Sequence, residues 1–441
     1  MSTAGTRASR LGAVAVITAL AQCGTPSAYA VSPPPIDENR LPATAFPAPS
    51  RPTVQRETCT PAPAATATPD PPAQLTGLDL PRVWQLTRGA GQRVAIIDTG
   101  VSRHRRLPKL IPGGDYVFTG DGTQDCDAHG TLVAGIIGGA PDPGTDPFSG
   151  VAPDVTLISI RQSSAKFAAQ GHGSGVGDVD TMAKAVRTAA DLGASVINIS
   201  SVACVPTATA FDDRALGAAL AYAVDVKNAV VVVAAGNTGG AAHCPQQRSD
   251  ATRDTATVIV SPAWYDDYVL TVGSVNAAGA PSTFTLAGPW VDVAATGEAV
   301  TSLSPVGDGL VCRVGNEPIS ATSFAAPVVS ALAALIRARF PTWTARQVMH
   351  RIEATAHHPA AGWDPLVGNG TVDAMAAVST ETEPAHPLPA TRPISTPSAP
   401  PPRRASADRG TAVGGAAIGL VVLALIGVSG RLRRRDDVAG H

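Results

Sequence analysis

Short, uninterrupted apolar runs alternate along this chain with longer stretches of helical spacing. The runs at 93–97, 155–160, 196–199, 229–235 and 268–274 predict β-strands buried on both faces. Between them, 180–192 sets Met182, Ala185, Val186 and Ala189 on one side of a helix. A second helix is predicted over 214–227 and a long third one over 324–340. A shorter helix is expected ahead of the first strand: Asp79 stands where a cap belongs, Pro81 suits the first turn, and Val83, Trp84 and Leu86 supply apolar faces. Apolar strands separated by helices form a mostly parallel central sheet with helices on both faces, an α/β fold. Ligands of such sheets lie beyond the carboxyl ends of the strands, and Asp98 and Asn237 each stand at such an end.

The two ends of the chain break this pattern. Arg7 and Arg10 precede an apolar run at 11–21, and Ala28-Tyr29-Ala30 is a small-x-small cleavage site, so 1–30 is predicted to be an export signal. A lipoprotein signal would use Cys23, but Gln22 before it is a poor match. Residues 31–75 are rich in proline and threonine, show no helical or strand period, and are expected to be an extended segment with Cys59 available to tie it down. The folded domain is assigned to 76–380, followed by a proline-rich linker at 381–410 that reads as a semi-rigid tether. No charge falls in 411–430, a length that spans about 30 Å as a helix, the hydrocarbon thickness of a bilayer. Arg431, Arg433, Arg434 and Arg435 follow, so the tail at 431–441 is expected in the cytoplasm and everything before the span outside it. A buried globular helix would not carry these glycines beside such an arginine block.

Composition narrows the possibilities. Hydrophobic residues make up 44% of the 441, which supports a sizeable core. A formal net charge of −2 gives no electrostatic footprint for nucleic acid. Without the signal the cysteines are Cys59, Cys126, Cys204, Cys244 and Cys312; outside the cytoplasm disulfides are the default, but spacing does not assign the pairs. His104, His129, His172 and His243 are scattered without metal-ligand spacing, and His357-His358 reads as a surface pair. Asp121, Asp125 and Asp127 lack the terminal glutamate of a calcium loop and are expected to form a solvated acidic loop. No metal and no cofactor are expected.

Three stretches carry chemistry. They are Val94-Ala95-Ile96-Ile97-Asp98-Thr99-Gly100, His129-Gly130-Thr131-Leu132-Val133-Ala134-Gly135 and Thr322-Ser323-Phe324-Ala325-Ala326-Pro327. In the order Asp, His, Ser they spell a nucleophilic triad of the subtilisin arrangement. A serine hydroxyl needs a base at neutral pH; His129 would take its proton and later return it to the leaving amine, while Asp98 would orient the imidazole. Gly100 permits a sharp exit from the strand. Ser323 is expected to open the long helix, aiming its own N–H at a developing oxyanion, with Pro327 expected in the first turn where a missing N–H costs little. Asn237, in Ala234-Ala235-Gly236-Asn237, is the candidate second oxyanion donor; a Gly-Asn pair alone would read as a turn.

With these residues in view, the stretch from about 75 to 378 resembles a subtilase. More closely, the chain resembles the mycosins, membrane-anchored proteases associated with type VII secretion. Cys126-Asp127-Ala128-His129-Gly130-Thr131, Val196-Ile197-Asn198-Ile199-Ser200-Ser201 and Ser261-Pro262-Ala263-Trp264-Tyr265-Asp266-Asp267-Tyr268 carry that resemblance, together with the layout of its ends. The resemblance implies Asp98, His129 and Ser323 as catalytic triad and Asn237 as oxyanion donor. It implies a substrate cleft along Ser200, Ser201 and Val202 and along Ala234, Ala235 and Gly236, with the substrate backbone added there as a strand. No acidic residue marks a site for a basic side chain, so small or apolar residues before the cut are expected. It also implies Cys59–Cys126 and Cys204–Cys244 disulfides, leaving Cys312 aside. Ala321 departs from the family, which usually has glycine two residues before the nucleophile; a positive φ there would strain a Cβ.

The expected function is therefore a membrane-anchored, extracytoplasmic serine endopeptidase that processes proteins exported by a type VII system and supports its membrane channel complex. Two rivals stand beside it: a structural subunit in which catalysis is dispensable, and a general degradative protease.

Overall fold

The structure is a computed structural model that describes residues 30–61, 72–171, 175–239, 244–314 and 316–379. The export signal up to residue 29, the whole linker, the 411–430 span and the basic tail expected from the sequence lie outside the described residues. Among the described residues, no helix is long and apolar enough to cross a membrane.

In chain order the main elements begin with strand β1 (Thr53–Gln55), helix α1 (Leu80–Leu86), β2 (Arg93–Asp98), β3 (Leu110–Asp115) and α2 (His129–Gly138). There follow β4 (Thr156–Arg161), β5 (Phe167–Ala169), α3 (Val179–Asp191), β6 (Val196–Ile199), β7 (Ala203–Pro206) and α4 (Arg214–Ala221). The last group is β8 (Val230–Ala234), β9 (Val258–Ser261), β10 (Leu270–Val275), β11 (Val293–Thr296), α5 (Thr322–Arg339), α6 (Ala345–Thr355) and α7 (Ala374–Ser379).

Seven strands form one sheet in the order β11-β10-β8-β6-β2-β4-β3. Every neighbouring pair is parallel. The unbroken apolar runs follow from this position: β6, β8 and β10 are buried at every residue because helices cover both faces. The chain builds β3 and β4 on one side of β2, then crosses to β6 on the other, so strand order reverses at β2. That reversal opens a crevice at the carboxyl end of β2, where Asp98 is the last residue.

Four local expectations need correction. Asp79 does not cap α1: its backbone is left-handed at φ 48° with no side-chain cap bond, and its carboxylate pairs instead with Arg82 at 3.0 Å. A cap needs extended backbone to reach the free N–H groups. The 214–227 helix ends as α-helix at Ala221 and continues as a wider π turn, Tyr222–Val226. The extension is not wholly irregular, because β1 pairs antiparallel with β5. Pro327 is not in the first turn of α5 but inside the helix.

The described part of the extension lies along the folded body. Val31 N donates to Arg253 O, Arg40 pairs with Asp212 at 3.3 Å, and Arg187 donates to Thr44 Oγ1 at 3.1 Å. Beyond β1, Lys166 pairs with Glu57 at 2.8 Å, and a disulfide joins Cys59 to Cys126. A second disulfide joins Cys204 to Cys244, and Cys312 is buried outside both.

Candidate active site

Asp98 is held by the strand register, with β4 on one side of β2 and β6 on the other. Its side chain is 2% exposed. Oδ1 accepts from the Thr99 N–H at 2.7 Å and faces His129 Nδ1 at 2.8 Å. The other ring nitrogen of His129, Nε2, lies 2.8 Å from Ser323 Oγ. One imidazole thus touches both partners, from segments 31 and 194 residues away in the chain. An imidazole with Nδ1–H facing a carboxylate leaves Nε2 as the acceptor for the serine proton.

His129 is the first residue of α2, and the residue before it, Ala128, sits at φ 76°. A left-handed alanine is strained and must be held. Asp125 holds it: Oδ1 accepts from the Ala128 N–H at 2.8 Å and from Thr99 Oγ1 at 2.9 Å. Its Oδ2 accepts the Thr131 N–H at 2.8 Å and the Thr131 hydroxyl at 2.6 Å. The acidic loop is therefore only in part the solvated one expected from sequence: Asp121 is exposed, whereas Asp125 and Asp127 are half-buried. Asp121 accepts from Thr123 and Asp127 from Ser164 and Ala165, so all three carboxylates organise local backbone. Among the described residues no cluster of His, Cys, Asp and Glu is arranged to hold a metal.

These charges shape the titration of the site. Burial pushes the Asp125 carboxyl up to about 6, reinforced by the neighbouring Asp98 charge and opposed by its hydrogen bonds to Thr131 and Thr99. For His129, burial works against the charged ring, but the Asp98 charge and hydrogen bond, with Asp125 and Asp127 behind them, outweigh it and raise its pKa above the ordinary imidazole value.

Ser323 is the second residue of α5 and is 6% exposed. Its N–H belongs to the first turn, where no intrahelical carbonyl is available. Asn237 lies just past β8, after Gly236 at φ 100°, which turns the chain out of the strand. Asn237 Oδ1 accepts from both the N–H and the hydroxyl of Thr322, at 2.8 and 3.0 Å. Because a backbone N–H can only donate, the atom facing it is the amide oxygen, which leaves Nδ2 as the donor for a ligand. Ala321 has φ −170°, extended backbone that any residue adopts, so alanine in place of the usual glycine introduces no strain.

The cleft residues divide by role. Ser201 and Val202 line a cavity of roughly 230 Å³ together with Val179, Met182, Leu216 and Pro262. Ala234 and Ala235 are 2% and 0% exposed, so their methyl groups belong to the core. Ser200 is 6% exposed and turns its hydroxyl inward to the Ser323 carbonyl at 2.9 Å. Sequence reasoning missed the parts played by Asp125, Thr99 and Thr322; the only signal for them was their closeness to the triad motifs.

Comparison with known proteins agrees with this geometry. The profile of the subtilase family matches residues 89–370. Mycosin-4 of Mycobacterium tuberculosis is 69% identical over 98% of this chain and 99% of its own. Among solved structures, the MycP3 protease from the type VII (ESX-3) secretion system superposes with a TM-score of 0.72 at 44% identity, covering 79% of this chain and 100% of that one. A chain of an intact ESX-5 inner membrane complex matches with a TM-score of 0.75 at 41% identity, over 92% of this chain and 100% of that one. The sheet, the converging Asp, His and Ser segments and these matches together make the chain a member of the subtilase family of serine endopeptidases and, within it, of the mycosins.

Proposed function

We propose that Ser323 is the nucleophile of a peptide-bond hydrolase, with His129 as general base and then general acid. Asp98 orients the ring and stabilises the imidazolium, and the Ser323 N–H and Asn237 Nδ2 receive the oxyanion. The observation that carries this reading is the single imidazole lying 2.8 Å from each partner. The apolar cavity beside Ser201 and Val202 favours substrates with an apolar side chain upstream of the cut.

The cellular reading rests on the sequence ends and on the relatives. The enzyme is anchored by the 411–430 span with its folded domain outside the cytoplasm, and it cleaves selected proteins exported by a type VII system. It docks on the membrane channel complex of that system, a reading supported by the similar chain found within the ESX-5 inner membrane complex. The same observation favours a second, structural role in the assembly that does not require catalysis.

One experiment tests both. A fluorophosphonate that does not cross membranes, applied to spheroplasts, is expected to label the wild-type protein in the membrane fraction and to leave Ser323→Ala unlabelled. Secretion that survives in the Ser323→Ala strain, with altered termini on exported proteins, supports the double role. Absence of labelling in folded wild type would rule out the triad, and unchanged termini would rule out the processing role.

A further inference from the structure

Helix α5 carries a proline where its nucleophile needs a hydrogen-bond donor. In a helix the Ser323 carbonyl would accept from the N–H four residues on, but that residue is Pro327, which has none. A buried carbonyl left unpaired costs about as much as a lost hydrogen bond. Here the vacancy is filled from the sheet: Ser200 Oγ donates to the Ser323 carbonyl at 2.9 Å. The Ser200 oxygen accepts from Asn198 Nδ2 at 2.9 Å. Asn198 Oδ1 accepts in turn from Ser330 Oγ at 2.8 Å.

The proton directions follow without ambiguity. A carbonyl only accepts, so the Ser200 hydrogen points at Ser323; the Asn198 amide then donates to Ser200, and its oxygen is left for Ser330. Asn198 and Ser330 are both 0% exposed. The chain of bonds leaves α5 at Ser330, crosses to β6 and its exit, and returns to α5 about two turns earlier.

We propose that Asn198, Ser200 and Ser330 are positioning residues: a buried relay that replaces the helix bond Pro327 removes and fixes the nucleophile's backbone to β6. This rests on the reading of Ser323 as nucleophile. Ser200 directly precedes Ser201 and Val202 of the cavity wall, so one segment aligns the substrate side and the attacking residue together. Through the carbonyl of Ser323 the relay sets the tilt of the first turn, and with it the directions of Oγ and of the N–H that meets the oxyanion. Removing a buried polar group that serves stability alone would lower the melting temperature and leave the chemistry of the folded protein intact. Removing a positioning relay lowers the rate of the covalent step with binding unchanged.

Inactivation by a saturable fluorophosphonate separates the two, because kinact reports attack by Ser323 and KI reports binding. Thermal midpoints supply the folded fraction. Failure of wild type to label would count against the triad itself; the relay is judged only on variants of a protein that labels. Ser200→Ala and Asn198→Ala are each expected to lower kinact about 10-fold with KI unchanged, and the double variant by about the same 10-fold, since the bonds act in series. Ser200→Thr keeps a hydroxyl and is expected to recover most of the rate. Unchanged kinact, a change confined to KI, or losses that multiply to about 100-fold in the double variant would overturn the proposal. Should Asn198→Ala not fold, Pro327→Ala provides the same test. It returns an N–H to the Ser323 carbonyl, so the effect of Ser200→Ala is expected to shrink in that background, and an undiminished effect overturns the relay.

Discussion

His129 illustrates how few atoms decide the chemistry here. Its ring is oriented from one side by Asp98 and is held at its helix start by a left-handed Ala128 that Asp125 secures. The raised pKa of His129 has a direct kinetic consequence. The base must be neutral to accept the serine proton, so kcat/KM is expected to fall as pH drops through a value above that of an ordinary imidazole. Removing the negative charge at Asp125 lowers the cost of a neutral ring. The acid limb of the Asp125→Asn profile is therefore expected to move to lower pH, accompanied by a loss of rate from the disturbed turn. A profile whose limb stays in place would show that Asp125 acts through the backbone alone. Asp98, His129, Ser323 and Asn237 could be read from sequence because each sits in a short local motif. The hydroxyls and amides that place them could not, because Asn198 and Ser330 meet across 132 residues and leave no local pattern.

Among the secondary structures, apolar runs translated into the inner strands almost residue for residue, since a strand covered on both faces has no polar side to obscure it. β3 escaped detection: Leu-Ile-Pro-Gly-Gly-Asp has two glycines and a proline, and it pairs with β4 on one side only at the sheet edge. β1 escaped for a related reason, as three residues become a strand only when β5 offers its backbone. The Cys59–Cys126 bridge then ties this added strand to the segment before His129, closing a loop with a sequence separation of 67. In the chain-entropy account such a crosslink contributes about 4 kcal/mol. Cys59→Ser with Cys126→Ser is expected to lower the denaturant midpoint by an amount in that range; a midpoint that does not move would mean that the extension contacts alone hold the segment.

Across the molecule as a whole, a group of half-buried carboxyls, Asp266, Asp292 and Glu353, sets a pH dependence separate from catalysis. Burial, then the Asp266 charge, pushes Glu353 of α6 up from 4.5 to about 7. Asp292 is raised as well, by burial and by the charges of Asp266 and Glu353. A carboxyl that holds its proton more tightly folded than unfolded loses stability as pH rises between its two pKa values, here from 4.5 to about 7 for Glu353. Glu353→Gln is expected to raise the thermal midpoint at pH 7, with the gain fading towards pH 4.5. A gain that is equal at both ends of this window would assign the effect to packing.

The amino-acid order was enough to specify the class of fold and the family, and to single out Asp98, His129, Ser323 and Asn237 as candidates for one site, because each depends on neighbours within a few residues. It was silent on the strand order, on the seating of the extension, and on the way Pro327 strips a donor from the nucleophile's own carbonyl. Those features arise where backbone groups left unsatisfied in one segment find partners in another, and that pairing exists only once β6 and α5 are packed together.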